Sequence, residues 1–590
     1  MRITMKHNKI ALLLLTSIIP LFANATTSQP LAPEVATAKT EKPLVTGKHS
    51  MIVTNNPWAS KAAEQILSEG GNATDAAIAA AFVLGLTEPQ SSGIGGGGYA
   101  LSYNAKSKQV LAFDGREVAP SSATPEWFID PKTSKPLNFE SAMLSPLSVG
   151  VPGEVALFYK MHQQNGKLAW NKLLTPAITL ARKGFPMSPR LYGLLQSDQD
   201  ILKHNQQIAK VYFNAQGEVK TIGEKVTNIA YADTLQIIAK NPEEFYTGKI
   251  AHEIVETVNK SAHQKLMSAK DLSAYKVQVK EPVCSAYRDQ YDICSVPPSS
   301  SGGVAVQELL GIYARNYAKT GESGFTDINW VYNFYEASKI AFADRNQYLA
   351  DPDFVKQPIA GLLNNKYLDE RAKLVNESAA LVTPVAPGKP YGADPKYVAD
   401  NSPKPHGTTS LSIVDKDGNA VTMTVTVEHQ FGSHLFTNGF FLNNELTDFS
   451  LAPTNASGKA IANRVEAGKR PRSSIAPTMV FDKDHNLQVL TGSPGGSQII
   501  CYVAKNLIQI LDFKKSAAEA SSSPNLCAAN TTPVLENGNS IISAQLDKLN
   551  MLGESVVRSD LVSGETNIIR TNDGWSGAAD PRREGLAIGN

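Results

Sequence analysis

Thr408 is the residue of this sequence best suited to act as a nucleophile, since it begins a run of hydroxyl side chains behind a glycine. A threonine hydroxyl attacks a carbonyl carbon only when a neighbouring base takes its proton. A free α-amine, with a pKa of about 8, is such a base. That amine exists only if the chain is cut between Gly407 and Thr408. The run therefore indicates either a self-processing nucleophile or an ordinary threonine-rich strand.

A second stretch with chemical potential contains Gly495 and Gly496, which precede a predicted helix over residues 498–511. Consecutive glycines at the start of a helix present backbone N–H groups at the positive end of the helix dipole. Such groups suit the negative oxygen that develops when a carbonyl carbon is attacked. The alternative is a plain turn between a strand and a helix.

The elements that position Thr408 are predicted to form a β-hairpin. Its strands are predicted at 408–414 and 420–427. Between them an Asp-Gly pair places Gly418 at the left-handed position of a three-residue loop. Only one register separates an apolar face from a hydroxyl face, and it pairs Leu411 with Met423. The same register places Thr408 opposite Thr426.

A glycine-rich run over 93–98 matches the letters of the dinucleotide-binding fingerprint. That fingerprint needs a strand before the run and a helix after it, whereas here a buried helix (73–86) precedes and a strand (99–103) follows. We therefore predict no cofactor and expect the glycines to let two backbones approach closely. Three histidines fall near Thr408 in the sequence: His406, His429 and His434. They lack metal-ligand spacing, so we also predict no metal.

The four cysteines predict at least one disulfide. Cys284 and Cys294 flank a turn centred on Asp289, and residues opposite each other in a hairpin lie within disulfide range. Two buried thiols are the alternative. Whether Cys501 pairs with Cys527 stays open.

The composition indicates a large globular protein without affinity for polyanions. The 590 residues carry 56 Lys and Arg against 55 Asp and Glu, a net charge of +1, and charged residues make up 19%. These values exclude disorder, collagen and coiled coil, and they give no reason to expect a nucleic-acid partner.

Residues 1–25 predict a cleaved export signal, with basic residues first, an apolar stretch over 10–22 and Ala23-Asn24-Ala25 as the cleavage site. The apolar stretch is shorter than the ~20 residues of a membrane span. We therefore expect a periplasmic or secreted protein with no membrane anchor after cleavage. Residues 26–50 are predicted to be a flexible lead-in.

The motifs of the chain, in their order, resemble the γ-glutamyltranspeptidase family, a branch of the N-terminal-nucleophile hydrolases. The resemblance covers nearly the whole chain after the export signal. The matching segments are 72–77, 93–98, 116–120, 151–153, 297–303, 408–409, 443–449, 469–480 and 491–497.

The resemblance implies an α+β fold, the four-layer αββα sandwich of these hydrolases, formed by two chains cut from one precursor. The cut between Gly407 and Thr408 would leave a large subunit over 51–407 and a small subunit over 408–590. These two subunits would form a heterodimer.

The resemblance also implies roles for the residues singled out above. The hydroxyl of Thr408 would attack the γ-amide carbon of the substrate with its own α-amine as base, and Thr426 would orient it. The N–H groups of Gly495 and Gly496 would hold the oxyanion. The usual donor of the family is glutathione, and the γ-glutamyl group passes to water, an amino acid or a dipeptide.

Recognition of the glutamyl head group follows from its two charges. The residues implied for the α-carboxylate are Arg116, Ser473 and Ser474, and those implied for the α-ammonium are Glu428, Glu445 and Asp448. Glu428 departs from part of the family, where an asparagine commonly stands. The extra carboxylate is expected to strengthen ammonium binding, or to raise the pKa of a neighbouring acid in the empty site.

A second departure is the loop over 450–468, which has no aromatic residue. Many bacterial members carry a tyrosine there that covers the substrate. We expect water to enter this site more freely, which favours hydrolysis over transfer.

Two kinds of alternative function remain at this point. A related enzyme could cleave a cephalosporin or glutaryl amide, or poly-γ-glutamate, but a glutaryl group has no ammonium for three acids to bind. From a different class, a periplasmic peptide-binding protein would have this size and would stay uncut.

Overall fold

The computed structural model describes residues 40–318, 320–321, 327–400, 407–538 and 546–590. The predicted export signal, the lead-in up to residue 39 and His406 lie outside the described residues. Within the described part of the chain, no helix combines the length and apolar character needed to cross a membrane.

The helices of the described residues are α1 (Pro57–Ser68), α2 (Ala73–Thr87), α3 (Phe139–Met143), α4 (Glu154–Asn165), α5 (Trp170–Lys183), α6 (Pro189–Leu202), α7 (Gln206–Tyr212), α8 (Ile229–Lys240), α9 (Glu244–Thr247), α10 (Lys249–Ala262), α11 (Ala269–Ser273), α12 (Gly302–Asn316), α13 (Ile328–Tyr348), α14 (Ile359–Leu362), α15 (Asn365–Ala372), α16 (Ile499–Leu507), α17 (Ala517–Ser522) and α18 (Leu546–Met551).

The strands are β1 (Val45–Gly47), β2 (Met51–Thr54), β3 (Gly97–Asn104), β4 (Gln109–Asp114), β5 (Phe185–Pro186), β6 (Lys225–Val226), β7 (Gln278–Lys280), β8 (Val283–Tyr287), β9 (Tyr291–Ser295), β10 (Gly407–Val414), β11 (Ala420–Glu428), β12 (Phe436–Thr437), β13 (Phe440–Phe441), β14 (Thr478–Asp482), β15 (Leu487–Thr491), β16 (Leu526–Cys527), β17 (Val534–Glu536), β18 (Val557–Ser559), β19 (Thr566–Thr571), β20 (Gly574–Ala579) and β21 (Leu586–Gly589).

Two seven-stranded antiparallel sheets form the centre of the protein. Sheet I has the order β1-β20-β19-β15-β14-β9-β8, and sheet II has the order β21-β2-β10-β11-β3-β4-β7. One apolar core joins sheet II to α1, α2, α4 and α5. A second core joins sheet I to α12, α13 and α16. Helices therefore cover both sheets, which confirms the predicted αββα sandwich.

The hairpin of β10 and β11 has the predicted register over most of its length. Leu411 pairs with Met423, and the turn closes at Gly418, whose φ is +81°. The register shifts by one residue at the start of β10, where Gly407 pairs with Glu428. Thr408 consequently lies beside Thr426 at a bulge and is not its partner in a regular ladder.

The two faces of this hairpin meet different layers. The apolar face, which includes Leu411, belongs to the core under α2. The hydroxyl face meets sheet I: the Ser410 and Ser412 hydroxyls lie 3.3 and 3.1 Å from that of Thr566 on β19. Small hydroxyl side chains that bond to one another leave no buried polar group unpaired at this contact between the sheets.

The glycine run before β3 lets that strand pack tightly on β11. A Cβ atom at Gly96 would overlap the backbone carbonyl of Thr426, and one at Gly98 would overlap that of Thr424. The preceding helix α2 is buried along its whole length, as predicted, and a reciprocal capping box of Asn72 and Asp75 begins it.

Gly96→Ala is therefore expected to displace Thr426 and to destabilise the fold by about 1–3 kcal/mol, the usual effect of overpacking. Chemical denaturation measures the stability, and the rate of the expected self-cleavage reports the displacement. Gly193→Ala is a matched control, since a Cβ there meets no atom within 4 Å. Equal stabilities and equal cleavage rates of the two variants would contradict this explanation of the glycine run.

Disulfides join Cys284 to Cys294 and Cys501 to Cys527. The first pair lies directly opposite on β8 and β9, with Cα atoms 4.1 Å apart. The second pair is the one that the sequence left open.

Within the predicted lead-in, Val45–Gly47 form β1 and pair with β20, so sheet I begins before residue 51.

Candidate active site

Thr408 is the second residue of β10, and its side chain is 2% exposed. The structure describes the uncut chain, in which the Thr408 hydroxyl donates to the carbonyl oxygen of Gly407 at 2.6 Å. The carbonyl oxygen of Thr408 accepts a hydrogen bond from Nη1 of Arg583 at 2.8 Å. Hydrogen bonds thus fix both the hydroxyl and the backbone carbonyl of Thr408.

The hydroxyl of Thr426 is directed at the same carbonyl. Its Oγ accepts a hydrogen bond from the backbone N–H of Glu428 at 2.7 Å and donates its own proton to the oxygen of Gly407 at 2.6 Å. The Oγ atoms of Thr408 and Thr426 are 3.5 Å apart. A hydrogen-bonded hydroxyl therefore polarises the carbonyl that Thr408 would attack.

Arg116 is the arginine that lines the site. Its guanidinium pairs with the carboxylates of Glu445 and Asp448, and its Nε donates to the carbonyl of Pro471 at 3.1 Å. From the sequence we expected Arg116 to face the substrate's carboxylate and the two acids to face its ammonium. In the structure of the uncut chain, the Arg116 side chain instead lies against both acids.

Glu117 is a residue that the sequence reasoning missed. It is fully buried and lies close to the carboxyl group of Glu445. Burial and the neighbouring Glu445 carboxylate raise the pKa of Glu117 well above its ordinary value, so it stays protonated and can donate. Burial likewise raises the pKa of Glu445 to about 8, with Arg116 opposing the shift. The only signal for Glu117 in the sequence was its position beside Arg116.

Glu428 ends β11 in the left-handed region, with a φ of +79°. Its carboxylate accepts a hydrogen bond from the side-chain amide of Asn444. Few non-glycine residues adopt this conformation, and those that do are often found at binding sites. The bulge and this φ together orient the Glu428 side chain toward the pocket, whose wall it forms with Thr408.

Ser473 and Ser474 also line the pocket. The hydroxyl of Ser474 accepts a hydrogen bond from Nη2 of Arg345 at 2.6 Å, so its proton is available for another acceptor. Arg345 is buried and also donates to Ser301 at 2.8 Å. Sequence reasoning missed Arg345, because it lies within the buried helix α13, outside every recognised motif.

Gly495 and Gly496 form the turn between β15 and α16. Their φ angles are +137° and +59°, a region that favours glycine. A Cβ at Gly495 would also meet the ring of Tyr502. Gly496 lines the pocket, at the N-terminal end of the helical segment.

The pocket brings together nine of the ten residues predicted to take part in catalysis or substrate binding, and Gly495 adjoins it. The lining residues are Arg116, Thr408, Thr426, Glu428, Glu445, Asp448, Ser473, Ser474, Ile475, Gly496 and Ile499. The volume open to the centre of a water molecule is ≈20 Å³, so the pocket has room for about one water molecule. A glutamyl group therefore needs the Arg116 pairs to open. Among the described residues, no cluster of three or more His, Cys, Asp or Glu could hold a metal ion.

Fold and pocket together define an N-terminal-nucleophile hydrolase: an αββα sandwich with a threonine at the start of an inner strand. The family model described as Gamma-glutamyltranspeptidase matches residues 59–590. The chain belongs to this family, as its motifs predicted, and it is an enzyme of the γ-glutamyltranspeptidase type.

The relatives of the chain include glutathione hydrolases and acylases. The glutathione hydrolase proenzyme of Escherichia coli (strain K12) is 34% identical over 549 residues, covering 91% of each chain. The Acylase ACY 1 proenzyme of Pseudomonas sp. (strain V22) is 32% identical over 565 residues, covering 94% of this chain and 96% of its own. Among solved structures, a cephalosporin acylase from Bacillus halodurans has a TM-score of 0.81 at 25% identity, covering 93% of this chain and 97% of its own.

Proposed function

We propose that this chain cuts itself between Gly407 and Thr408 and then cleaves the γ-glutamyl amide of glutathione and related compounds. The observation that carries the proposal is the pocket, in which Thr408 lies with one guanidinium and three carboxylates. Such a set of charges suits a ligand that carries both an α-ammonium and an α-carboxylate.

In the first reaction, Oγ of Thr408 attacks the carbonyl carbon of Gly407. The donated hydrogen bond from Thr426 supports the negative charge that develops on the carbonyl oxygen. As the C–N bond breaks, the hydroxyl proton passes to the departing nitrogen, which becomes the α-amine of Thr408. Water then hydrolyses the ester, and the products are the carboxylate of Gly407 and a free N-terminal threonine.

In the second reaction, the new α-amine takes the proton of Oγ while Oγ attacks the γ-amide carbon of the substrate. The N–H groups of Gly495 and Gly496 hold the tetrahedral oxyanion. The ammonium of Thr408 then protonates the leaving amine, and a γ-glutamyl ester of Thr408 remains. Water hydrolyses this ester, or an amino acid or dipeptide accepts the group. Since the loop over 450–468 has no aromatic residue, we propose that water is the main acceptor.

When the substrate binds, the ion pairs of Arg116 with Glu445 and Asp448 are replaced by ion pairs with the substrate. The substrate carboxylate replaces one acid as the partner of Arg116, and it accepts a hydrogen bond from the hydroxyl of Ser474. The substrate ammonium then faces the released acids, Glu445 and Asp448, together with Glu428. The substrate carboxylate thereby faces a cation and the substrate ammonium faces anions, which matters in a site this deeply buried.

We further propose that the first 25 residues export the chain and are removed, so that the enzyme acts in the periplasm or outside the cell. The basic start, the apolar stretch and the Ala-Asn-Ala cleavage site support this. Two subunits, 26–407 and 408–590, would then form one heterodimer.

The ionisation of Glu445 gives a testable pH dependence. Its pKa is raised to about 8, so the carboxyl is mostly neutral at pH 7 and becomes an anion as the pH rises. Because the substrate ammonium needs that anion, KM for γ-glutamyl-p-nitroanilide is expected to fall roughly five- to tenfold between pH 7 and 8.5. Initial rates at several pH values measure it.

Glu445→Gln separates this effect from titration of the nucleophile. The variant is expected to have a high KM that hardly changes with pH, while kcat still rises as the α-amine of Thr408 loses its proton. A KM that falls with pH equally in both proteins would contradict the role of Glu445.

The experiment that tests the function itself combines one gel with one assay. Purified protein is expected to run as two chains, the smaller beginning with Thr408, and to release glutamate from glutathione. A single uncut chain without hydrolase activity would overturn the proposal and favour a binding protein.

The similarity to acylases makes a second candidate necessary. The glutaryl amide that such an enzyme would cleave is a glutamyl amide without its ammonium. The comparison of γ-glutamyl-p-nitroanilide with glutaryl-p-nitroanilide decides between the two activities, since three carboxylates in the pocket favour the first.

A further inference from the structure

Arg345 is a buried arginine that does not line the pocket of Thr408 but contacts a residue that does. Its Nη2 donates to the hydroxyl oxygen of Ser474 at 2.6 Å. A guanidinium cannot accept a hydrogen bond, so the hydroxyl proton of Ser474 points away from Arg345. Because Ser474 lines the pocket, this proton is available to an acceptor that enters the pocket.

Three further contacts fix the position of the guanidinium. Its Nε donates to the hydroxyl of Ser301 at 2.8 Å, and its Nη1 donates to the side-chain oxygen of Asn346 at 2.9 Å. The centre of the Phe342 ring, one turn earlier on α13, lies 5.5 Å from its Cζ. All three nitrogens of the guanidinium have acceptors, so the orientation of the donor to Ser474 is set before any substrate binds.

Ser301 connects the guanidinium to the backbone of the serine pair. Its hydroxyl donates to the carbonyl oxygen of Ser473 at 2.5 Å, and its backbone N–H donates to the same oxygen at 2.9 Å. Ser301 and Arg345 precede Gly407 in the chain, whereas the serine pair follows it. The orientation of a hydroxyl in the later part of the chain therefore depends on side chains from the earlier part.

The guanidinium also has charged neighbours. Burial and the Arg472 guanidinium lower the pKa of Arg345, while the carboxylates of Asp400 and Asp448 oppose the shift. Arginine stays protonated in proteins, so Arg345 remains a donor at every pH of an enzyme assay. A charged donor polarises the hydroxyl that accepts from it, which makes the proton of Ser474 a stronger donor to an anion.

We propose that Arg345 is a positioning residue for the α-carboxylate of the substrate. It directs the hydroxyl proton of Ser474 at that carboxylate and does not itself touch the substrate. This role rests on the proposed function, in which Ser474 donates to the carboxylate. Because the role concerns binding and not the reaction at Thr408, loss of Arg345 raises KM and leaves kcat nearly unchanged.

A double-mutant cycle on the self-cleaved protein tests this role, with γ-glutamyl-p-nitroanilide as the substrate. We expect Arg345→Gln to raise KM roughly ten- to thirtyfold, the usual effect of one hydrogen bond to a charged group, and to change kcat less than about threefold. Ser474→Ala is expected to act similarly, and the double variant to be no worse than Ser474→Ala alone. Effects that multiply in the double variant, or a loss confined to kcat, would overturn the role.

A substrate without the carboxylate separates this role from a general loss of structure. 4-Aminobutyryl-p-nitroanilide keeps the amide and the ammonium of the γ-glutamyl compound. Both substrates are compared on one sample, so the fraction of active enzyme cancels in the ratio of their kcat/KM values. We expect Arg345→Gln to lower the preference for the γ-glutamyl substrate at least about fivefold. An unchanged preference would contradict the role.

Arg371→Gln is the matched control for this comparison. Arg371 and Arg345 are each 6% exposed, and Arg371 pairs with Asp344 on the same helix α13, but it does not contact a residue of the pocket in any printed ion pair or hydrogen bond of its guanidinium. We expect this variant to keep the preference of the wild type even if its stability falls. An equal loss of preference in both variants would show that Arg345 has only a structural role.

The proposed function and the role of Arg345 can fail separately. In an active enzyme, failure of the cycle would overturn the role of Arg345 alone. An inactive wild type would overturn the proposed function, and calorimetric titration with L-glutamate would then test Arg345 by itself. We expect Arg345→Gln to weaken glutamate binding roughly tenfold. Equal binding by the variant, or no binding by the wild type, would overturn the role.

Discussion

Thr408→Ala is expected to remain a single uncut chain and to lose glutathione hydrolysis by a factor of at least about 10⁴. The variant lacks the hydroxyl that we propose attacks Gly407 in the precursor and the substrate in the mature enzyme. Loss of a covalent nucleophile removes the whole reaction path, so losses of this size are usual. Gel electrophoresis measures the cut, and release of p-nitroaniline from γ-glutamyl-p-nitroanilide measures the activity.

Thr408→Ser is the matched control, because it keeps the hydroxyl and removes only a methyl group. We expect it to cut itself and to retain activity, though more slowly than the wild type. The alanine variant should still fold, since the side chain of Thr408 makes hydrogen bonds only to Gly407 and Thr426 among those of the described residues. Complete self-cleavage of Thr408→Ala would show that another group attacks Gly407.

Asp448→Ala is expected to lower kcat/KM for γ-glutamyl-p-nitroanilide roughly 30- to 1,000-fold. Its carboxylate pairs with Arg116 in a pocket that is almost closed to solvent. Removal of one partner of a buried charged pair costs about 2–4 kcal/mol, and each 1.4 kcal/mol is a factor of ten. Steady-state kinetics on the self-cleaved variant measure the loss.

Glu466→Gln is the control for Asp448→Ala. Glu466 also pairs with cations, Lys469 and Arg464, but it does not line the pocket. We expect its kinetics to equal those of the wild type. On glutaryl-p-nitroanilide, which has no ammonium, Asp448→Ala is expected to lose little or nothing. An unchanged rate of Asp448→Ala on the γ-glutamyl substrate would refute the assignment of Asp448 to the ammonium.

The hairpin and the burial of the helix after Asn72 could be predicted from local patterns, whereas the layered fold was expected from the resemblance to the family. The alternation of apolar and hydroxyl residues permits one register between Leu411 and Met423, and that register is the observed one. The helix after Asn72 has neither a polar face nor a break, so burial was the only stable arrangement.

The details of the site could not be predicted, because they depend on contacts between distant segments. The register shift at Gly407 has no signal in the alternating pattern that predicts the rest of the hairpin. The pairing of Arg116 with the acids depends on their depth below the surface, which no spacing in the sequence reveals. Glu117 lies beside Glu445, and Arg345 donates to Ser474, and neither contact follows from a motif, although Glu117 stands in the matching segment 116–120.

The order of strands has a consequence for how the protein can be made. In sheet II, β2 from the part before Gly407 lies between β21 and β10 from the part after it. In sheet I, β1 lies at one edge while β9 and β8 lie at the other, around four strands from the later part. Neither part therefore contains a complete sheet, and each would expose unpaired strand edges if made alone. A gene divided at codon 408 should encode two products that aggregate, even though the mature enzyme would hold the same two chains. We therefore expect the peptide bond at that position to be needed while the two sheets assemble, and to be dispensable once they have formed.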